Sequence, residues 1–115
     1  MDRPWIQSYP PGVPADIPLD DLVSIGDYFL EAVGRYPRRP AFISGATGAT
    51  LTYAELDGLT RDLAAWFQQE IKLPPGSRVA LMMPNLLQYP VCLYALLRAG
   101  YVVVNVNPMY TPREL

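Results

Sequence analysis

The stretch from Arg78 to Pro108 limits the possible folds more than any other. RVALMMPNLLQYPVCLYALLRAGYVVVNVNP reads as a short apolar run, a turn, a longer apolar run closed by Arg98-Ala99-Gly100, and a β-branched run. That order predicts strand, helix, strand. The first strand is Val79 to Met83, ended by Pro84, which has no N–H for a ladder, and by Asn85, a residue suited to cap the next helix. The second is Tyr101 to Val106, whose four valines favour a pleated, buried surface. Both are apolar almost without alternation, as in parallel strands covered on both faces. Residues 86–99 supply the crossover that parallel strands require. They are apolar nearly all round, so this helix should be buried on more than one side. Gly100 sits where a C-terminal cap belongs. Pro90 would cost about 3 kcal/mol deep in a helix, so the regular helix should begin near Tyr89.

The rest of the chain punctuates itself. Residues 1–23 hold Pro4, Pro10, Pro11, Pro14 and Pro18, five of the thirteen prolines, and should form an extended arm. Trp5, Ile6 and Tyr9 would anchor it on a larger surface; docking of the arm on another protein is the less favoured reading. From Ser24 the pattern turns helical through Ile25, Tyr28, Phe29, Ala32, Val33 and Tyr36, with Ser24 and Asp27 as a cap pair, Glu31 and Arg35 as an i,i+4 pair, and Pro37 as the stop. Ala41 to Ser44 and Ala49 to Tyr53 read as a β-hairpin across Gly45-Ala46-Thr47-Gly48. Those small residues resemble a phosphate loop only superficially, because no lysine follows and the loop joins strand to strand.

Thr52-Tyr53-Ala54-Glu55 is a capping box with Leu51 and Leu56 as its hydrophobic staple. The helix it opens should pack through Leu56, Leu59, Leu63, Trp66 and Phe67, expose an Asp57/Arg61 pair and end near Ile71. Lys72, the only lysine, should serve that helix end through the dipole, with Leu73-Pro74-Pro75-Gly76 as the turn beyond it. The pieces predict an α/β fold: a small mixed sheet with a parallel βαβ unit (78–108), a β-hairpin (41–53) and packed helices. At the far end Thr111-Pro112-Arg113-Glu114 has the form of a helix start. A chain that stops one residue later reads as part of a longer protein, with an arm at 1–23 and an incomplete α/β portion at 24–115. Apolar surface left without neighbours should favour self-association.

Composition removes several function classes. Net charge is −2, so nucleic acid is not an expected partner. Without histidine there is no His general base, Ser-His-Asp triad or His metal site. The single cysteine, Cys92, forms no disulfide within the chain and should be a core residue of a reducing compartment. No secretory signal or spanning stretch stands out, so a soluble, cytoplasmic protein is expected. Asn85, Asn105 and Asn107 flank the carboxyl ends of the two parallel strands, where α/β sheets place ligands. A helix cap at Asn85 and turn bonding at Asn105 and Asn107 are the preferred readings.

The same residues carry a resemblance. Trp5, Tyr9-Pro10 and Val13-Pro14, Thr52 to Leu56, Arg78 to Asn85, Gln88-Tyr89-Pro90, Leu97 to Gly100, and above all Asn105 to Leu115 resemble the N-terminal segment of bacterial long-chain fatty-acid CoA ligases, across the whole chain. The resemblance implies an adenylate-forming, AMP-forming enzyme that couples a fatty acid to ATP, with Mg2+, and passes the acyl group from AMP to CoA. It also implies that the phosphate loop and catalytic lysine lie beyond residue 115. This segment would therefore be inactive scaffold, with no catalytic, cofactor-binding or metal residue assigned. The parent would be cytoplasmic, with association at the inner membrane surface left open. Two rivals are a stand-alone interaction or dimerisation module and, more weakly, a small nucleotide-binding domain, for which Met83-Pro84-Asn85 lacks both glycine and lysine.

Overall fold

A computed structural model of the chain describes residues 2–17, 19 and 22–115. The elements are α1 (Ile25–Arg35), β1 (Pro40–Ile43), β2 (Thr50–Thr52), α2 (Tyr53–Trp66), β3 (Arg78–Met82), α3 (Gln88–Arg98) and β4 (Val102–Val106). The α/β class holds. The strands form two separate two-stranded sheets instead of one mixed sheet, an antiparallel β1-β2 hairpin and a parallel β3-β4 pair.

Local chemistry sets most boundaries. Ser24 Oγ accepts from the Asp27 N–H at 3.1 Å and opens α1. Glu55 accepts from the Thr52 N–H at 2.9 Å while Thr52 Oγ1 accepts from the Glu55 N–H at 3.3 Å, completing the capping box of α2. α2 runs into a π turn over Phe67–Ile71, and Lys72 closes it at a left-handed φ of 57°. α3 ends in a Schellman motif: the Tyr101 N–H donates to Leu96 O at 3.0 Å and the Gly100 N–H to Leu97 O at 3.1 Å, with Gly100 at φ 84°. Pro90 is the third residue of α3, where a backbone N–H has no partner within the helix, so it is tolerated.

α2 and α3 cover the same face of the parallel sheet. Ala64, Ala95, Leu96, Ala99 and Tyr101 form one buried cluster, joined by Val79 and Val103 from the strands. Small side chains on both helices let their backbones approach closely, and Thr60, fully buried between them, donates to Asp57 O at 3.0 Å. A second cluster of Phe29, Leu51 and Leu56 joins α1 to the hairpin; Phe29 stacks on Tyr94 of α3 at 4.4 Å between centroids. α3 is thus buried on more than one side.

Several expectations need correction. β3 and β4 are covered on one face only, so Met82, Val102 and Val104 on the other face are exposed. On α2 the packed line is Leu56, Thr60 and Ala64, with Leu63 and Phe67 half-buried, whereas Leu59 and Trp66 are exposed. Cys92 is half-buried, and that burial pushes its thiol above the ordinary range. The arm is not simply extended: Pro4, fitted to a first helical position, starts a 3-10 turn over Pro4–Ser8, and Arg3 pairs with Asp16. Trp5 and Tyr9 are 55% and 40% exposed, while Ile6 is half-buried. Pro18 lies outside the described residues.

Candidate functional site

β3 and β4 run parallel in register, from Arg78 opposite Val102 to Met82 opposite Val106, so their carboxyl ends finish together. The site there is built by three connections. The first is the β3-α3 turn, in which the Leu86 N–H donates to Pro84 O at 2.8 Å and the Tyr89 N–H to Leu86 O at 3.0 Å. Asn85 is the middle residue of that three-residue turn. The N-cap position of α3 belongs to Leu87 and has no side-chain hydrogen bond, so the expected cap at Asn85 is not formed.

The second connection ties α3 to β4. The Tyr89 hydroxyl donates to Asn105 Oδ1 at 2.8 Å. Asn105 lies within β4 on the helix-covered face and bonds across to α3, instead of making the expected turn bond. Asn107 does make one: its Oδ1 accepts from the Met109 N–H at 3.0 Å, and the Tyr110 N–H donates to Asn107 O at 3.0 Å.

The hairpin tip is the third. The Ser44 N–H donates to Ala49 O at 2.8 Å, the Gly48 N–H to Ser44 O at 2.8 Å, and Gly48 takes φ 69°. A cleft of about 430 Å³ separates this tip from the β3-α3 turn; Phe42, Ser44, Gly45, Asn85, Leu86 and Tyr89 are among its walls. Its lining is mostly apolar, with the Ser44 and Asn85 side chains as polar contributions, which suits an apolar guest better than a phosphate. Asn85 and the Tyr89–Asn105 bond therefore share one end of the sheet, while Asn107 turns the chain away from it.

Charge gathers elsewhere. Asp57 is 9% exposed and pairs with Arg61 of its own helix and Arg98 of α3, so the expected exposed pair is a three-membered cluster around a buried carboxylate. Its place on the packed line with Thr60 and Ala64, at i+3 and i+7, is the signal that marks it as inward. Lys72 stands at the end of the π turn, as expected. Thr111 donates its N–H and hydroxyl to Glu114 Oε2 at 2.8 Å, and those bonds hold the Glu114 carboxyl below its ordinary range. Among the described residues, no three His, Cys, Asp or Glu side chains gather as a metal site requires, and no helix is long and apolar enough to cross a membrane.

The chain matches the family described as AMP-binding enzyme over residues 29–115. It is 50% identical over all 115 residues to the long-chain-fatty-acid–CoA ligase of Escherichia coli O6:H1, and equally to that of Haemophilus influenzae. In both cases the whole of this chain spans 20% of the relative's length. Among solved structures, the N-terminal subdomain of Klebsiella oxytoca NpsA superposes with a TM-score of 0.74 at 32% identity, over 80% of this chain and 23% of that one. Fold, family profile and full-length sequence match agree that the chain belongs to the AMP-binding enzyme family.

Proposed function

We propose that this chain is the N-terminal scaffold of an ATP-dependent, AMP-forming long-chain fatty-acid CoA ligase. The observation that carries the reading is the 50% identity over all 115 residues to curated ligases of that specificity. The whole enzyme joins a fatty acid carboxylate to ATP, with Mg2+ assisting, and the CoA thiol then displaces AMP from the acyl-adenylate. Such a reaction asks for positive charge facing the transferring phosphoryl group and for a dry acyl pocket. The first requirement is unmet in the cleft beside Asn85, whose lining includes no lysine or arginine. We therefore assign no catalytic, cofactor-binding or metal residue to this segment, with residues 1–23 as an arm and 24–115 as part of the large ligase domain. In this reading the parent works in the cytoplasm, at or near the inner membrane where its substrate partitions.

The exposed apolar face of Met82, Val102 and Val104 favours a second reading, an interaction or self-association module. Fatty-acid-dependent ATP–pyrophosphate exchange separates the two. The ligase reading expects none from the 115-residue chain and robust exchange from a longer product of the same reading frame. Absence of exchange in a well-folded longer product, with stable dimers of the chain, would favour the module.

A further inference from the structure

We propose that the cleft between the hairpin tip and the β3-α3 turn binds a neutral acyl compound, an alkyl chain of medium length ended by an uncharged carbonyl group. At about 430 Å³ the cleft lies in the size range of small-molecule sites. Phe42, Leu86, Tyr89 and Pro90 give it apolar walls, of which Pro90 is buried and Tyr89 half-buried. The Tyr89 hydroxyl proton is spent on Asn105, so this residue brings the cleft a ring and no free donor. Both sides are held in place before any guest arrives. The Ser44 N–H donates to Ala49 O at 2.8 Å on one side, and the Tyr89 N–H to Leu86 O at 3.0 Å on the other.

Three lining residues keep donors unspent. Ser44 Oγ accepts from the Thr47 N–H at 3.4 Å, which leaves its own proton available. Among the described residues, neither the Gly45 N–H nor the Asn85 side-chain amide makes a hydrogen bond, and both residues line the cleft. Donors without acceptors, set among apolar walls, select a guest that carries an acceptor oxygen on an apolar body. The guest is uncharged, because no Lys, Arg, Asp or Glu is in the lining. A carboxylate would lose water there with no cation to offset the loss, and an ammonium group would meet donors instead of acceptors. The carbonyl of an ester, amide or thioester supplies the acceptor without the charge. The exposed side chains of Met82, Val102 and Val104 on the open sheet face hold no donor and so select no head group. None of this depends on the ligase reading, whose fatty acid substrate is ionised at pH 7 and is the guest that this cleft disfavours.

The test is an NMR titration of the isotope-labelled 115-residue chain at pH 7 with octanamide, hexanamide and sodium octanoate, each kept below the concentration at which it aggregates. Octanamide should shift the Gly45 backbone and Asn85 side-chain amide signals saturably and leave those of Met82, Val102 and Val104 in place. Hexanamide, two methylenes shorter, should bind about 16-fold more weakly, at about fourfold per methylene. Octanoate should bind weaker than octanamide by about tenfold or more. The Ser44→Ala/Asn85→Leu variant keeps the walls and removes two donors, so it should bind octanamide about tenfold more weakly. Unmoved signals from the Phe29 and Leu56 cluster show that the variant is folded. Octanoate binding as tightly as octanamide, shifts at Met82 equal to those at Gly45, or a failure to saturate would each overturn the proposal, and none of these readings needs the variant. Undiminished binding by the folded variant would overturn it as well. The assay requires no turnover, so it fails or succeeds independently of the ligase reading.

Discussion

Arg98, on the last turn of α3, donates to Oδ1 of Asp57, the fifth residue of α2 and 41 residues earlier, while Arg61 occupies Oδ2. One carboxylate thereby locks the two helices that cover the parallel sheet. Arg98 is 25% exposed at its side chain and Arg61 is 65% exposed, so the two arginines differ in what their loss does. Asp57→Ala leaves Arg98 partly buried without a partner and should destabilise the chain by about 3 kcal/mol. Arg61→Ala should cost about 0.5 kcal/mol or less. Urea unfolding of the variants checks both values, and equal costs would contradict the cluster.

Gly100 and Lys72 take the same left-handed backbone at two helix ends, one with the suited residue and one without. Nothing stands within 4 Å of a Cβ added to Gly100, so Gly100→Ala costs only the conformational term, about 1 kcal/mol. Lys72→Gly should instead raise stability by up to about 1 kcal/mol, because φ 57° suits glycine. Thermal melts of the pair should move in opposite directions.

The capping box makes stability depend on acid. Bonds from the Thr52 N–H and then its hydroxyl hold the Glu55 carboxyl below its ordinary value of 4.5. A carboxylate depressed on folding contributes stability that is fully present above its unfolded pKa and is lost as pH falls through the lower folded value. Glu55→Gln, which removes the carboxyl, should flatten the stability profile below about pH 4.5 and leave its slope at pH 7 unchanged, whereas Thr52→Ala, which keeps the backbone N–H, should flatten it only in part. Urea midpoints against pH, parent beside variant, report this.

Tyr89→Phe keeps the ring and removes the hydroxyl that holds Asn105. A cost of roughly 0.5–1 kcal/mol follows for one exposed hydrogen bond. The more telling readout is local: Asn105 side-chain amide resonances should shift and broaden, while those of the Phe29 and Leu56 cluster stay in place. Shifts confined to the cluster would contradict the assignment.

What was legible in the sequence was mostly local. Ser24, the Thr52/Glu55 box, the 44–49 hairpin and Gly100 act on backbone groups within a few residues, so spacing alone reveals them. Asp57 shows where this stops: Arg61 at i+4 is visible in the sequence, whereas Arg98 reaches it only because α2 and α3 pack side by side. Leu59 and Trp66 satisfy helical periodicity yet stay exposed, because the small side chains of Thr60, Ala64, Ala95 and Ala99 bring the helices together on a neighbouring line. The two-sided covering expected for β3 and β4 is met on one side, since both helices lie on the same face. At the candidate site, the turn bond of Asn107 is sequence-local and was expected. The Tyr89–Asn105 bond joins the start of a helix to the end of the next strand and has no short-range signature.

The scaffold role proposed for these 115 residues can be tested in the whole enzyme. The direct measurement is fatty-acid-dependent ATP–pyrophosphate exchange by a chimera in which they replace the matching segment of the Escherichia coli ligase, run beside that ligase and beside the isolated chain. Exchange is expected in the chimera within about tenfold of the parent ligase, a loss of transition-state stabilisation no larger than about 1.4 kcal/mol, and none in the isolated chain. Exchange catalysed by the isolated chain, or a folded chimera without exchange, would contradict it.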